Sequence, residues 1–168
     1  MSRVLFALLL AGCGASSPSS DGGADAGVDA GTCPSQLYWT RGTAAAAAME
    51  PGMACIACHQ TQAPSLAYDF MGTVFAEYHS EDTCFGQPPP DVTVEILGAD
   101  GGVAVTLTPN SAGNFFTGRN SGVQTPYTAR VRFDGGVNVM LTPQTDGDCN
   151  GCHTAQGLNG APGRITWL

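Results

Sequence analysis

The sequence contains no lysine. Its six basic residues are all arginine, against fourteen Asp and Glu, and the net charge is -8. Nothing in that balance can build a basic patch against phosphate, which excludes a nucleic-acid partner. Histidine is scarce too, at three positions: His59, His79 and His153. Long apolar runs are missing, and the stretch Val4 to Leu10 is too short to span a bilayer as a helix. No Ser-His-Asp set stands out. No glycine-rich phosphate loop follows a strand, since Gly101-Gly102 and Gly135-Gly136 read as hairpin turns. The carboxylates show no calcium-loop spacing.

Residues 1–12 read as a targeting leader, with Arg3 before the short apolar stretch. The leader ends in Leu10-Ala11-Gly12-Cys13, which resembles the lipobox of bacterial lipoproteins. That resemblance implies cleavage before Cys13, acylation of its sulfur, and an exported, membrane-anchored protein facing the periplasm or the cell surface. A plain signal peptide with an incidental cysteine is the alternative. Residues 13–32 then read as lipid anchor and flexible acidic linker. Gly, Ala, Ser and Asp dominate there and offer too little apolar surface to offset chain entropy. Such a tether reaches roughly 25 Å.

Residues 33–68 hold Tyr38-Trp39 and an alanine run, for which a short helix from Thr43 to Ala48 is expected, stopped by Pro51-Gly52. From 69 to 142 the hydrophobic period changes to two. Strands are expected at Met71–Phe75, Val92–Leu97, Val103–Thr108, Asn114–Thr117, Pro126–Phe133 and Val137–Leu141, separated by Pro-, Gly- and Asp-rich turns. Six short strands at this spacing predict a mainly β fold, a small antiparallel β-sandwich flanked by irregular or short-helical segments. Gly72-Thr73-Val74-Phe75, Asp91 to Ile96, Thr106-Leu107-Thr108 with Gly113 to Phe116, and Tyr127 to Val131 together resemble the transthyretin-like domain of carboxypeptidase regulatory regions. The resemblance implies a sandwich without catalytic residues. The insert from His79 to Pro90, which carries His79 and Cys84, exceeds what that pattern needs.

Cysteine carries the chemistry. Seven cysteines in an exported chain call for an assignment of each. Cys55-Ile56-Ala57-Cys58-His59 and Cys149-Asn150-Gly151-Cys152-His153 are two C-x-x-C-H sequences. They resemble the haem-attachment motif of c-type cytochromes. There two thiols form thioethers with the porphyrin and the adjacent imidazole becomes the proximal iron ligand. The resemblance implies two covalent haems c, held at Cys55, Cys58 and His59 and at Cys149, Cys152 and His153. A four-thiolate zinc site and two redox disulfides are the alternatives. Cys33 and Cys84 remain, and pairing them in a disulfide would stabilise the fold by about 3 to 4 kcal/mol. Two unpaired or intermolecular thiols are the other reading.

Ligand counting limits the axial set. With His59 and His153 proximal, only His79 is left among the histidines. His79 and Met140 are the distal candidates, with Met49 in reserve. The plain alternatives are a loop imidazole for His79 and a core side chain for Met140. Residues 143–168, the second haem-binding segment, read as loop, with Trp167 and Leu168 covering a haem face. Arg164 is set there to pair a propionate or to lie solvated on the surface. The expected function is single-electron transfer at the cell envelope with other redox proteins as partners, including larger multi-haem assemblies. The alternatives are a small dihaem peroxidase and a zinc- or disulfide-bearing adhesion or binding module.

Overall fold

The computed structural model describes residues 32–168. The leader, Cys13 and all of the linker except Thr32 lie outside the described residues. The chain runs through α1 (Cys55–Gln62), a single 3-10 turn (Pro64–Leu66), β1 (Met71–Phe75), β2 (Thr93–Leu97) and β3 (Val103–Leu107). It continues through β4 (Asn114–Phe116), β5 (Thr128–Phe133), β6 (Gly136–Val139), α2 (Cys149–Cys152) and β7 (Ile165–Thr166). The fold is mainly β, as the period-two pattern predicts. Two sheets form it, one ordered β4-β1-β7 and the other β3-β2-β5-β6. Every pairing is antiparallel except that of β1 with β7.

Alternation explains the inner faces. Val94 and Ile96 of β2 and Val131 of β5 point into a core completed by Phe70, Val74, Val92, Phe115 and Tyr127. The intervening positions face outward. Glu95 stands opposite Arg130 across the strands, and their side chains form an ion pair. Between the sheets Phe70 meets Tyr127 edge to face, with ring centroids 4.7 Å apart.

β1 is buried along its whole length. Val74 faces the core. Thr73 and Phe75 face away from it, towards the segments that carry the two C-x-x-C-H sequences. The insert after β1 is tied down by a disulfide between Cys33 and Cys84, 51 residues apart, both buried against Phe75. Tyr38 and Cys84 also form an antiparallel bridge.

The helix expected from Thr43 to Ala48 does not form; residues 43–48 are irregular. Six residues are too few to recover the nucleation cost of an isolated helix. Asn114 instead fixes the end of this stretch, donating from Nδ2 to Ala47 O at 3.2 Å and to Met49 O at 2.8 Å. The tail departs from the loop expectation too. Ile165 and Thr166 add a parallel strand to the side of β1 away from β4, at Val74 and Phe75.

Candidate functional site

Both C-x-x-C-H sequences start short helices. Cys55, Cys58 and His59 lie on α1; Cys149 and Cys152 bound α2, and His153 follows as its C-cap. The helices lie side by side although the motifs are far apart in the chain. Asp148 carries much of this junction. Its Oδ2 accepts the Ala57 N–H at 2.8 Å, across 91 residues of sequence. No side chain of α1's own N-cap residue does this, so the carboxylate preceding the second motif caps the helix of the first.

Asn150, inside the second motif, completes the junction. Its Nδ2 donates to Met53 O at 2.9 Å and to Thr73 Oγ1 at 3.0 Å, and lies 3.7 Å from Cys55 Sγ. Its Oδ1 accepts the Thr73 N–H. Thr73 Oγ1 donates in turn to Asn114 Oδ1 at 2.8 Å and accepts from Gly52 N–H. One buried polar network therefore joins β1, β4 and both motifs.

All three histidines share one arrangement. The Nδ1 of His59 faces Leu66 O at 2.7 Å, that of His79 faces Ala155 O at 2.7 Å, and that of His153 faces Gly163 O at 2.9 Å. A carbonyl oxygen can only accept, so each Nδ1 carries the proton. In the neutral imidazole Nε2 then keeps its lone pair, the orientation in which a histidine binds a metal. Burial pushes the His153 imidazole below its ordinary pKa and favours that neutral form.

A cavity of about 360 Å³ opens between the sheets beside the second motif. Cys149, Cys152 and His153 line it together with Met140, Tyr127 and the apolar wall of Val94, Ile96 and Val131. Met140 thus shares a cavity with the second motif. His79 is tied by its ring to Ala155, two residues after His153. Met49 is half-buried and does not line the cavity. Cys149 lies close over β1: a Cβ built at Gly72 would stand 2.9 Å from Cys149 Cβ and 2.6 Å from Phe115 Cζ.

The four motif cysteines are unpaired thiols. Burial, reinforced by the charge of Asp148, pushes Cys55 and Cys149 each up to about 12. Such thiols stay protonated at neutral pH and are poor thiolates. Among the described residues no three His, Cys, Asp or Glu side chains converge as a metal site would need.

Arg164 departs from the expectation of a solvated surface residue: it is 1% exposed and bonded within the protein. Trp167 packs against the core and donates its backbone N–H to Phe75 O, while Leu168 is exposed. Asp148 and Asn150 escaped the sequence reading altogether. The signal present was a pair of polar residues at and beside a motif cysteine, which spacing alone does not assign. No family model matches the chain, and no curated protein and no solved structure is significantly similar to it. Among the described residues no helix is long and apolar enough to cross a membrane.

Proposed function

We propose that the protein is an exported, lipid-anchored dihaem c-type cytochrome that passes single electrons between redox proteins at the cell envelope. The observation that carries this reading is the common setting of the three histidines. Each ring is fixed through Nδ1 to a backbone carbonyl and presents Nε2, including the two that complete C-x-x-C-H sequences. The protonated thiols of Cys55 and Cys149 and the apolar cavity beside Cys149, Cys152 and His153 fit a covalently held porphyrin better than a thiolate-bound ion.

In this reading Cys55, Cys58 and His59 hold one haem and Cys149, Cys152 and His153 the other. Each haem would supply an iron that accepts and releases one electron without breaking a bond. The chain's own residues do the rest. His59 and His153 are oriented by Leu66 and Gly163. The apolar cavity walls Val94, Ile96 and Val131 would pack against the second haem. Asp148 and Asn150 keep the two sites adjacent. His79 and Met140 are the residues that would complete the iron ligation, with Met49 in reserve. The sandwich serves as a non-catalytic scaffold of the transthyretin-like, carboxypeptidase-regulatory type, and Cys13 carries the lipid.

The test is expression with cytochrome maturation machinery, followed by intact mass and pyridine haemochrome quantification. Two covalent haems are expected, along with low-spin visible bands. His79→Ala and Met140→Ala should each turn one haem high-spin. A colourless mature protein refutes the reading.

A further inference from the structure

Arg164 heads the fully buried side chains by volume. Its guanidinium reaches three separate segments. Nη1 donates to Gly52 O at 2.9 Å and to His153 O at 3.3 Å, and Nε donates to Ser80 O at 2.9 Å. The first acceptor lies three residues before Cys55, the second is the proximal candidate of the second motif, and the third adjoins His79. The main chain adds to this: Arg164 N–H donates to Tyr78 O, and the neighbouring Gly163 O receives the His153 ring proton. The packing is close enough to require glycine at position 52, where φ is +87° and a Cβ would meet Arg164 Nη1 at 2.9 Å. One cation therefore touches the segments leading to all three histidines.

Its charge is only partly answered. Nη2 pairs with the Asp82 carboxylate, but the Asp82 side chain is 54% exposed while that of Arg164 is 0% exposed. Water screens the anion and not the cation. The other nearby partner is the Phe75 ring, whose centroid lies 5.0 Å from Cζ. Arg164 also lines the cavity that holds Cys149, Cys152 and His153. A guanidinium stays protonated throughout the accessible pH range, so this is a permanent positive charge in a low-dielectric place.

We propose that Arg164 is a positioning residue that also sets the potential of the second redox site, holding the three histidine segments in register and favouring the reduced state beside His153. The inference rests on the dihaem reading. The step it influences is the gain of one electron from a redox protein by ferric iron, with no bond made or broken and no proton required. A fixed positive charge stabilises the added electron and so raises the potential. Removing the screened anion raises it further.

The experiment is spectroelectrochemical titration of the haem-loaded full chain as wild type, Asp82→Asn, Arg164→Lys and Arg164→Gln. One of the two potentials should rise in D82N and fall in R164Q, with the other moving much less. R164K keeps the charge but not the fork, so its potential should stay nearer wild type than that of R164Q. A purely structural Arg164 predicts shifts of one sign in D82N and R164Q, or R164K indistinguishable from R164Q; either result overturns the proposal. Should R164Q fail to accumulate, D82N decides alone, because its side chain is half in solvent: an unchanged or lowered potential refutes the idea. Protein without haem would refute the dihaem reading itself, a separate failure visible before any titration.

Discussion

Asn150 and Thr73 grip each other in both directions: Asn150 Nδ2 donates to Thr73 Oγ1 and the Thr73 N–H donates to Asn150 Oδ1, each at 3.0 Å. Asn150 belongs to the second C-x-x-C-H sequence and Thr73 to the central strand of one sheet. The motif is thus bolted to the sandwich through a residue that its spacing leaves unspecified. Replacing Asn150 by Ala leaves the Thr73 N–H buried without its partner and the Met53 carbonyl with only the Cys55 thiol. The expected loss is about 2 to 3 kcal/mol, read as a lower urea midpoint with unchanged slope. On the dihaem reading, haem incorporation should fall at both motifs, because Asn150 also secures Met53 close to Cys55.

Gly72→Ala tests how closely Cys149 must approach β1. The new methyl would stand 2.6 Å from Phe115 and 2.9 Å from Cys149, both held in the packed interior. Overpacking of this kind costs about 1 to 3 kcal/mol. Displacing Cys149 should also impair attachment at the second motif alone. Intact mass should then show a singly loaded species accumulating over the doubly loaded one.

The disulfide between Cys33 and Cys84 closes a loop across 51 residues. Replacing both cysteines by Ala should lower stability by about 3 to 4 kcal/mol on the chain-entropy account. Because the bond ties the N-terminal segment to the insert rather than to a motif helix, each of the two proposed haems should still attach. Chemical denaturation and haem quantification of the same sample check both halves of this expectation.

Acid stability should carry a signature of Asp69. Its carboxyl is held below the usual 3.8, chiefly by the Ser121 N–H that it accepts. The unfolded chain therefore binds this proton at a higher pH than the native one. The contribution is fully present above the ordinary carboxylate range and is lost as pH falls through the lowered folded value. Asp69 is exposed, so the effect is small. Thermal midpoints of Asp69→Asn and wild type should converge towards pH 2 and separate, with wild type higher, above pH 5.

Much of the sandwich was legible because its causes are local. Alternation in Thr93–Leu97 and Thr128–Phe133 names the inward residues, and Asp100-Gly101 and Asp134-Gly135 mark the reversals. All six expected strands occur, Met71–Phe75 with unchanged ends and the others with ends shifted by at most two residues. The pairing of Cys33 with Cys84 followed from counting thiols. The alanine run misled because propensity summed over so short a segment is weaker than two side-chain bonds from Asn114.

By itself the sequence determined the strand periodicity, the turns, the two five-residue motifs and the pool of histidines, all set by neighbours within a few positions. Only the tertiary structure decided that Asp148 caps the helix of the other motif, that each imidazole turns Nε2 outward from a backbone carbonyl, and that Arg164 lies buried. Those outcomes depend on which distant loops meet. A carboxylate or a guanidinium accepts whichever partners the packed sheets bring to it, and no local pattern encodes that choice.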